Sequence, residues 1–317
     1  MTVFRILNIE PVGFAEEASE ILRGIGMLDE IACDRARLLQ CIADYNALVL
    51  RFGVRVDKEL IDKATKLRVI ACPATGTEHI DTEAARARGI EVLSLKGDQE
   101  FLHGLSATAE LAWALLLMLA RNMPAAAESV KRGVWDRDAF QGFQLKGKTL
   151  GIIGYGRLGR MVANYGSAFG MTVLANDIRT DLRDSGVRMV SMATVLRESD
   201  VITLHVPLSS TTHSLIDAAA IKQIKPGSFI VNTSRGEIVE EYALASALTS
   251  GSIGGYATDV LSGEGLKQRD WPRSNLIWKG FRDDPRVIIT PHIGGKTVES
   301  NRDADIHIAK KIASLFS

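Results

Sequence analysis

The sequence is poor in residues that would staple or anchor it. Among 317 residues there are three cysteines, Cys33, Cys41 and Cys72, and no CxxC pair. That count argues against a disulfide framework and against a zinc site, so no metal is expected, and it fits a reducing cytoplasm. Surplus charge is also missing, since 38 basic residues balance 38 acidic ones. No broad attraction to nucleic acid or to an anionic membrane is implied, and any anionic ligand has to be met by a local site. The opening stretch MTVFRILNIEPVGF has no basic segment followed by a long apolar run, so no signal peptide is expected. The most apolar stretch, residues 111–120 between Glu110 and Arg121, is too short to span a bilayer and reads as a buried helix. Neither an internal repeat of fixed short period nor a low-complexity tail is present.

What is present is an ordinary globular composition, 46% hydrophobic and 24% charged, in a chain long enough for two α/β domains. One stretch organises it. The apolar run 149–153 leads straight into Gly154-Tyr155-Gly156-Arg157-Leu158-Gly159, and a small-residue helical pattern over 161–169 follows. In a dinucleotide fold Gly154 allows the tight turn, Gly156 lets a pyrophosphate approach the backbone, and Gly159 lets the helix pack on the strand. The next apolar run, 171–175, ends in Asn176-Asp177, which places an acid about 20 positions on, where it can hydrogen-bond the adenosine ribose.

Before this stretch, short apolar runs at 4–9, 27–32, 47–51, 68–72 and 90–95 alternate with helical segments. About five βα units predict a parallel sheet covered on both faces. Turn composition near Lys96 gives way to a long helix over 106–121; Pro124 need not end the helical region, but Gly133 should. An irregular stretch with exposed-looking aromatics, 134–143, precedes the organising strand. Further strands are expected at 171–175, 188–190, 201–205, 228–232, 255–259 and 286–290, a second doubly wound sheet. A last helix, about 298–316, follows and is expected to return to the first domain.

Several separated motifs now stand in order: GIIGYGRLG with Asp177; His205-Val206-Pro207-Leu208; Lys225-Pro226-Gly227 followed by Val231-Asn232-Thr233-Ser234-Arg235-Gly236; Thr258-Asp259-Val260 with Glu264; and Thr290-Pro291-His292-Ile293-Gly294-Gly295. Over essentially its whole length the chain resembles the D-isomer-specific 2-hydroxyacid dehydrogenases, a family that includes phosphoglycerate, glycerate and D-lactate dehydrogenases. The resemblance implies an α/β fold of two doubly wound parallel-sheet domains. A flavodoxin-like substrate domain would comprise 1–98 and 296–317, a Rossmann NAD-binding domain 99–295, with the active site in the cleft. It also implies a homodimer, formed through the 106–121 helix and the aromatic arm from Trp135 to Phe143.

The family's catalytic Arg, Glu and His fall on Arg235, Glu264 and His292. Oxidation of a 2-hydroxyacid moves a hydride from C2 to nicotinamide while a base takes the hydroxyl proton, and the reverse needs an acid at the carbonyl oxygen. His292 suits that role, Glu264 would fix its tautomer and raise its pKa, and Arg235 would offer a fork of donors to substrate carboxylate and carbonyl. Singly, a His after a Pro, an acid in a loop or an arginine at a helix start is as well explained as structural. All three, however, lie near the carboxyl ends of predicted strands, where ligands sit in open α/β sheets.

For NAD the resemblance implies Gly154, Gly156, Arg157, Leu158 and Gly159 at the phosphates and Asp177 at the ribose. Val206 and Pro207 would line the adenine pocket, Thr233, Ser234 and Arg235 would pass the nicotinamide ribose, Asp259 would meet the carboxamide, and His292 and Gly295 would close the site. Asp177 favours NAD by repelling a 2′-phosphate, with Arg179 two residues on. For substrate it implies Arg51 and Arg235, together with the amides of Thr75 and Gly76 as a carboxylate nest. In that nest loop Ala74 replaces the usual glycine and His79 stands where Asn is common. Two departures bear on substrate: Cys72 stands where phosphoglycerate-type members carry Arg, and the connection from Lys96 to Leu105 is longer than usual. Lys96 and His103 on that connection read either as solvated loop residues or as part of an altered pocket. No regulatory C-terminal domain is expected. The alternative to an enzyme is a non-catalytic NAD(H)-sensing binding protein of the same fold. A formate dehydrogenase-like activity is disfavoured, since those members carry Gln at the Glu264 position.

Overall fold

A computed structural model of the chain describes residues 4–264 and 271–316. The chain separates into two compact units, Met1–Leu105 with Lys296–Ser317, and Ser106–Gly295.

The first unit is built on strands β1 (Arg5–Asn8), β2 (Met27–Glu30), β3 (Ala47–Val49), β4 (Val69–Ala71) and β5 (Glu91–Leu93). They form one parallel sheet in the order β2-β1-β3-β4-β5, the flavodoxin-type arrangement. Its central strands are buried throughout, which is why they read as unbroken apolar runs rather than alternating ones. The helix Val298–Phe316 belongs to this unit. Ala304, Ile308, Ala309 and Ile312 pack with Ile6, Leu22, Val49 and Val69 on one face of the sheet. A buried ion pair fixes it further: Arg51 Nη2 meets both carboxylate oxygens of Asp305, at 2.5 and 2.7 Å, and Asp305 also accepts the Ala15 amide.

The long connection is ordered. Gln99–His103 is helical, buries Leu102, and places Phe101 face to face with His307 at 4.0 Å. Asp98 accepts from both His307 and Lys311, each at 2.9 Å. These contacts hold the segment in the first unit as far as Leu105, beyond the turn at 96–99 where the sequence pattern changes. Lys96 is exposed, and His103 bonds locally, to the Gln99 carbonyl.

The second unit carries β6 (Thr149–Ile153), β7 (Thr172–Asn176), β8 (Val187–Met189), β9 (Val201–Leu204), β10 (Ser228–Asn232), β11 (Ile253–Thr258) and β12 (Val287–Ile289). All pairings are parallel and the order is β12-β11-β10-β9-β6-β7-β8. The strand order reverses between β6 and β9, and that switch point is where such sheets bind ligands. The helix Ala107–Ala120 buries Ala109, Trp113, Leu116 and Leu119 against this sheet's core. By length and composition Gln99–Ala120 would suffice to cross a membrane. It is instead two helices in different units, the second largely buried. After Ala120 the chain breaks at Asn122 (φ 49°) and resumes as a helix over Met123–Lys131 with Pro124 in its first turn, a position that tolerates the missing N–H. Of the aromatics beyond Gly133, Trp135 is exposed. Phe143 is not, because its ring packs on Phe229 at 4.7 Å under the Lys148 ammonium.

Candidate active site

The glycine turn follows β6 directly, and its three glycines differ in what surrounds them. Gly154 adopts φ +95°, and a methyl group there would lie 2.6 Å from the His205 carbonyl oxygen and 2.8 Å from Val206. The turn is therefore pressed against the end of β9, across the switch point. A methyl on Gly159 would lie 2.2 Å from the Gly154 carbonyl oxygen, so the helix Arg157–Ala168 packs on the turn through that missing side chain. Gly156 is the exception: an added methyl there meets nothing within 4 Å. That open face borders the first turn of a helix whose leading amides have no intrahelical acceptor, which is the setting of an anion site. Leu158 packs inward against the core, and burial lowers the Arg157 guanidinium pKa.

Around the switch point, two buried polar atoms have no protein partner among the described residues, Thr233 Oγ1 after β10 and His205 Nδ1 after β9. His205 binds Thr203 Oγ1 through Nε2 at 2.9 Å, and burial pushes its pKa down to about 4, so it is neutral. Ser234 Oγ donates to the Leu204 carbonyl at 2.7 Å, tying the β10 loop to β9. An open glycine face and unsatisfied buried hydrogen-bonding atoms on adjacent strand ends fit a dinucleotide.

The three chemistry-bearing side chains come from the ends of adjacent strands. Arg235 follows β10, Glu264 follows β11 and His292 follows β12. His292 Nδ1 lies 2.6 Å from Glu264 Oε1, with the two side chains 38% and 20% exposed. The hydrogen bond to Glu264 raises the imidazole pKa above its ordinary value, and the Arg235 charge acts on the same ring in the opposite sense. Arg235 is thus close enough to His292 for its charge to be felt. Its Nη1 donates to the Ser234 carbonyl, and its own carbonyl accepts Asn232 Nδ2.

His292 sits at φ +53°, a conformation rare for a residue with a side chain. Asp259 holds it there. The His292 amide donates to the Asp259 carbonyl, while the buried Asp259 carboxylate accepts Thr290 Oγ1, the Ile293 amide and the Gly294 amide at 2.6, 2.8 and 2.7 Å. Burial raises its pKa, opposed by those donors. Gly295 faces open space. Glu264 is positioned by residues that carried no motif. Glu237 accepts the Gly263 amide at 3.1 Å, and Glu241, itself bound by Asn275, accepts the Ser262 amide at 3.0 Å. A methyl on Gly236 would collide with the Leu261–Ser262 peptide at 2.1 Å, so the Arg235 loop and the segment leading to Glu264 are packed backbone to backbone.

In the first unit, Thr75 is exposed and Gly76 buried, beyond the end of β4. The Cys72 thiol, pushed up to about 12 by burial, lies 3.8 Å from the Gly76 carbonyl and 3.9 Å from that of Arg51. The Arg51 guanidinium is engaged by Asp305.

A parallel sheet with a glycine turn and an open helix N-terminus at its switch point, and an acid–imidazole pair beyond its carboxyl ends, is the arrangement of a dinucleotide-binding fold with a pair suited to proton transfer. The family model for the NAD-binding domain of D-isomer specific 2-hydroxyacid dehydrogenases matches residues 113–294. The D-3-phosphoglycerate dehydrogenase of Methanocaldococcus jannaschii is 38% identical over 98% of this chain, which spans only 57% of that enzyme. The hydroxypyruvate reductase of Thermotoga maritima is 34% identical over 98% of both chains. Among solved structures, a D-lactate dehydrogenase from Aquifex aeolicus, complexed with NAD and lactic acid, superimposes with TM-score 0.84 at 28% identity, covering 98% of this chain and 95% of its own. The chain belongs to the D-isomer specific 2-hydroxyacid dehydrogenase family, and NAD is the cofactor of its nucleotide domain.

Proposed function

We propose that this chain is an oxidoreductase that transfers a hydride between NAD and C2 of a D-2-hydroxyacid or its 2-oxoacid. The observation that carries this reading is the 2.6 Å pairing of His292 with Glu264 on a turn that holds His292 at φ +53°, within reach of the Arg235 charge. Bound NAD supplies or accepts the hydride. The chain's residues do the rest. In reduction the protonated His292 delivers the Nε2 proton to the carbonyl oxygen; in oxidation the neutral ring takes the hydroxyl proton there. Glu264 on Nδ1 fixes the tautomer and favours the charged ring, and Arg235 orients the carboxylate. Gly154, Gly156, Arg157, Leu158 and Gly159 hold the pyrophosphate, Val206 and Pro207 the adenine side, and Thr233, Ser234, Asp259 and Gly295 the nicotinamide side. In the first unit the amides of Thr75 and Gly76 are the proposed carboxylate donors, together with Arg51, whose guanidinium also pairs with Asp305. The filled Arg, Glu and His positions favour catalysis over a purely NAD(H)-sensing role.

The test is NADH oxidation against glyoxylate, hydroxypyruvate, phosphohydroxypyruvate and pyruvate. Turnover that disappears in His292→Ala supports the reading; NADH binding with no turnover across the panel overturns it in favour of the sensor. The raised imidazole pKa makes a further prediction. Because the acid form persists to higher pH than in a free imidazole, the reductive rate should fall only above that raised pKa. Glu264→Gln removes the charge that raises it, so the alkaline limb of kcat/KM should move to lower pH; an unmoved limb would assign the titration to another group.

We also propose a cytoplasmic homodimer. Support comes from three free thiols and from exposed apolar side chains along one segment, Met123, Val130, Val134 and Trp135, the last 87% exposed. Light scattering after gel filtration should give the dimer mass at micromolar protein, and a monomer there would refute it.

A further inference from the structure

β7 ends at Asn176, and Asp177 next to it carries the carboxylate that a dinucleotide fold turns toward the adenosine ribose. In this chain that carboxylate is already engaged by its own neighbours. Oδ2 accepts the Tyr155 amide at 2.8 Å. Oδ1 accepts both the amide and Nε of Arg179, at 3.0 and 2.9 Å, and Arg179 Nη2 reaches Oδ2 and the Tyr155 carbonyl, both at 3.1 Å. The guanidinium is thus forked onto the carboxylate and pinned to the glycine turn. Asp177 is 9% exposed and Arg179 51%, so the side of the pair that meets solvent is chiefly the cation.

Exclusion of a 2′-phosphate at this position rests on repulsion by a bare carboxylate, and a bidentate ion pair cancels that repulsion at its source. The surroundings do not restore it. Asp177 and Arg179 border a surface cavity of about 830 Å³, together with Thr180, Arg183, Asp184 and Ser185. Asp184 is itself paired, with Arg160 Nη1 and the Tyr155 hydroxyl, each at 2.7 Å. Arg183 donates to the carbonyls of Thr180 and Leu182 rather than to an acid, so its charge stays on that rim, and Asp181 adds a negative charge that acts on Arg179. The rim therefore offers hydroxyl and guanidinium donors, and the two acids that line it, Asp177 and Asp184, are both paired.

We propose that Arg179 is a specificity-determining residue that neutralises Asp177, so that the cofactor site takes NADPH as well as NADH. The proposal concerns nucleotide binding alone and stands apart from the substrate reading.

Equilibrium titration of the full chain with NADH and with NADPH, without substrate, tests it. Near a protein surface two like charges in contact are worth more than a tenfold change in affinity, so tenfold serves as the dividing line. In the unaltered chain the two dissociation constants should agree within about tenfold. Arg179→Ala exposes the carboxylate and should weaken NADPH relative to NADH by about tenfold or more, whereas Arg179→Lys, which keeps the charge, should stay near the original ratio. Discrimination against NADPH of more than about tenfold in the unaltered chain, or an unchanged ratio in a folded Arg179→Ala, overturns the proposal. Should Arg179→Ala fail to fold, Arg179→Gln serves instead: it removes the charge while keeping a hydrogen-bond donor toward Asp177, so NADPH should again weaken relative to NADH by about tenfold or more, and an unchanged ratio in that variant overturns the proposal. Binding of neither nucleotide overturns it together with the cofactor assignment.

Discussion

His292→Ala is expected to bind NADH as the unaltered chain does while kcat falls about 100- to 10,000-fold, the usual worth of a positioned general acid or base. That is roughly 3–5 kcal/mol of barrier. Two features argue that the loss is confined to chemistry. The turn is held by backbone and Asp259 rather than by the imidazole, since the Ile293 and Gly294 amides and Thr290 Oγ1 all end on the Asp259 carboxylate. The imidazole Nδ1 pairs with Glu264, whose loop has its own supports in Glu237 and Glu241 through the Gly263 and Ser262 amides. Removing the ring should therefore leave the fold standing, because the left-handed turn at φ +53° is held by Asp259 and costs alanine only slightly more than histidine, which tolerates that region better. Single-turnover measurement alongside an NADH titration checks it. A variant that loses NADH binding as well would mean that His292 serves the cofactor rather than the proton.

The architecture was written plainly in the chain because the central strands of both sheets are buried on two faces, while edge strands such as β2 and β8 are partly exposed. Central strands appear as unbroken apolar runs, and each of the twelve strands among the described residues overlaps a stretch expected as a strand, the edge strands β2 and β8 on mixed rather than apolar sequence. The glycine turn was legible for a related reason: Gly154 and Gly159 each stand where a single methyl would strike backbone. The site residues on strand ends were legible as types at positions, but not as partners. Asp259 reads from sequence as a cofactor ligand, yet three donors from the His292 turn end on it, and nothing local announces that a segment some thirty residues on will fold back there. Glu237, Glu241 and Asn275 carried no motif at all, because holding a neighbouring loop by its amides demands only an acceptor in the right place. Arg179 was visible two residues from Asp177, but whether it would point to solvent or clasp the carboxylate is a rotamer choice that spacing does not fix. The helix Gln99–His103 read as a loop because it is too short to show a period. It is held by Asp98, Phe101 and Leu102 through contacts with the last helix, some two hundred residues away in sequence.

Gly156→Val and Gly159→Val should separate binding from folding at one turn. Gly156 has a near-extended backbone with a negative φ, −83°, and ψ −155°, and nothing lies within 4 Å of an added Cβ. The folded state should accept the substitution, at about 1 kcal/mol for a poorer helix N-cap, so the melting temperature of the ligand-free chain should drop by only a few degrees. The space the side chain fills is, however, the face along which a pyrophosphate approaches the helix amides, and the NADH dissociation constant should rise by at least about 100-fold, near 3 kcal/mol. Gly159 presents the opposite case. Its Cβ would sit 2.2 Å from the Gly154 carbonyl oxygen and 3.2 Å from Ile152, both in the rigid turn and strand, so the helix has to move before any ligand is considered. Overpacking of that kind costs about 1–3 kcal/mol or more and should appear as a lowered melting temperature in the absence of NADH. Differential scanning fluorimetry with and without NADH reads both effects. If Gly156→Val binds NADH normally, the dinucleotide does not cross this turn and the phosphate assignment of the whole Gly154–Gly159 segment is wrong.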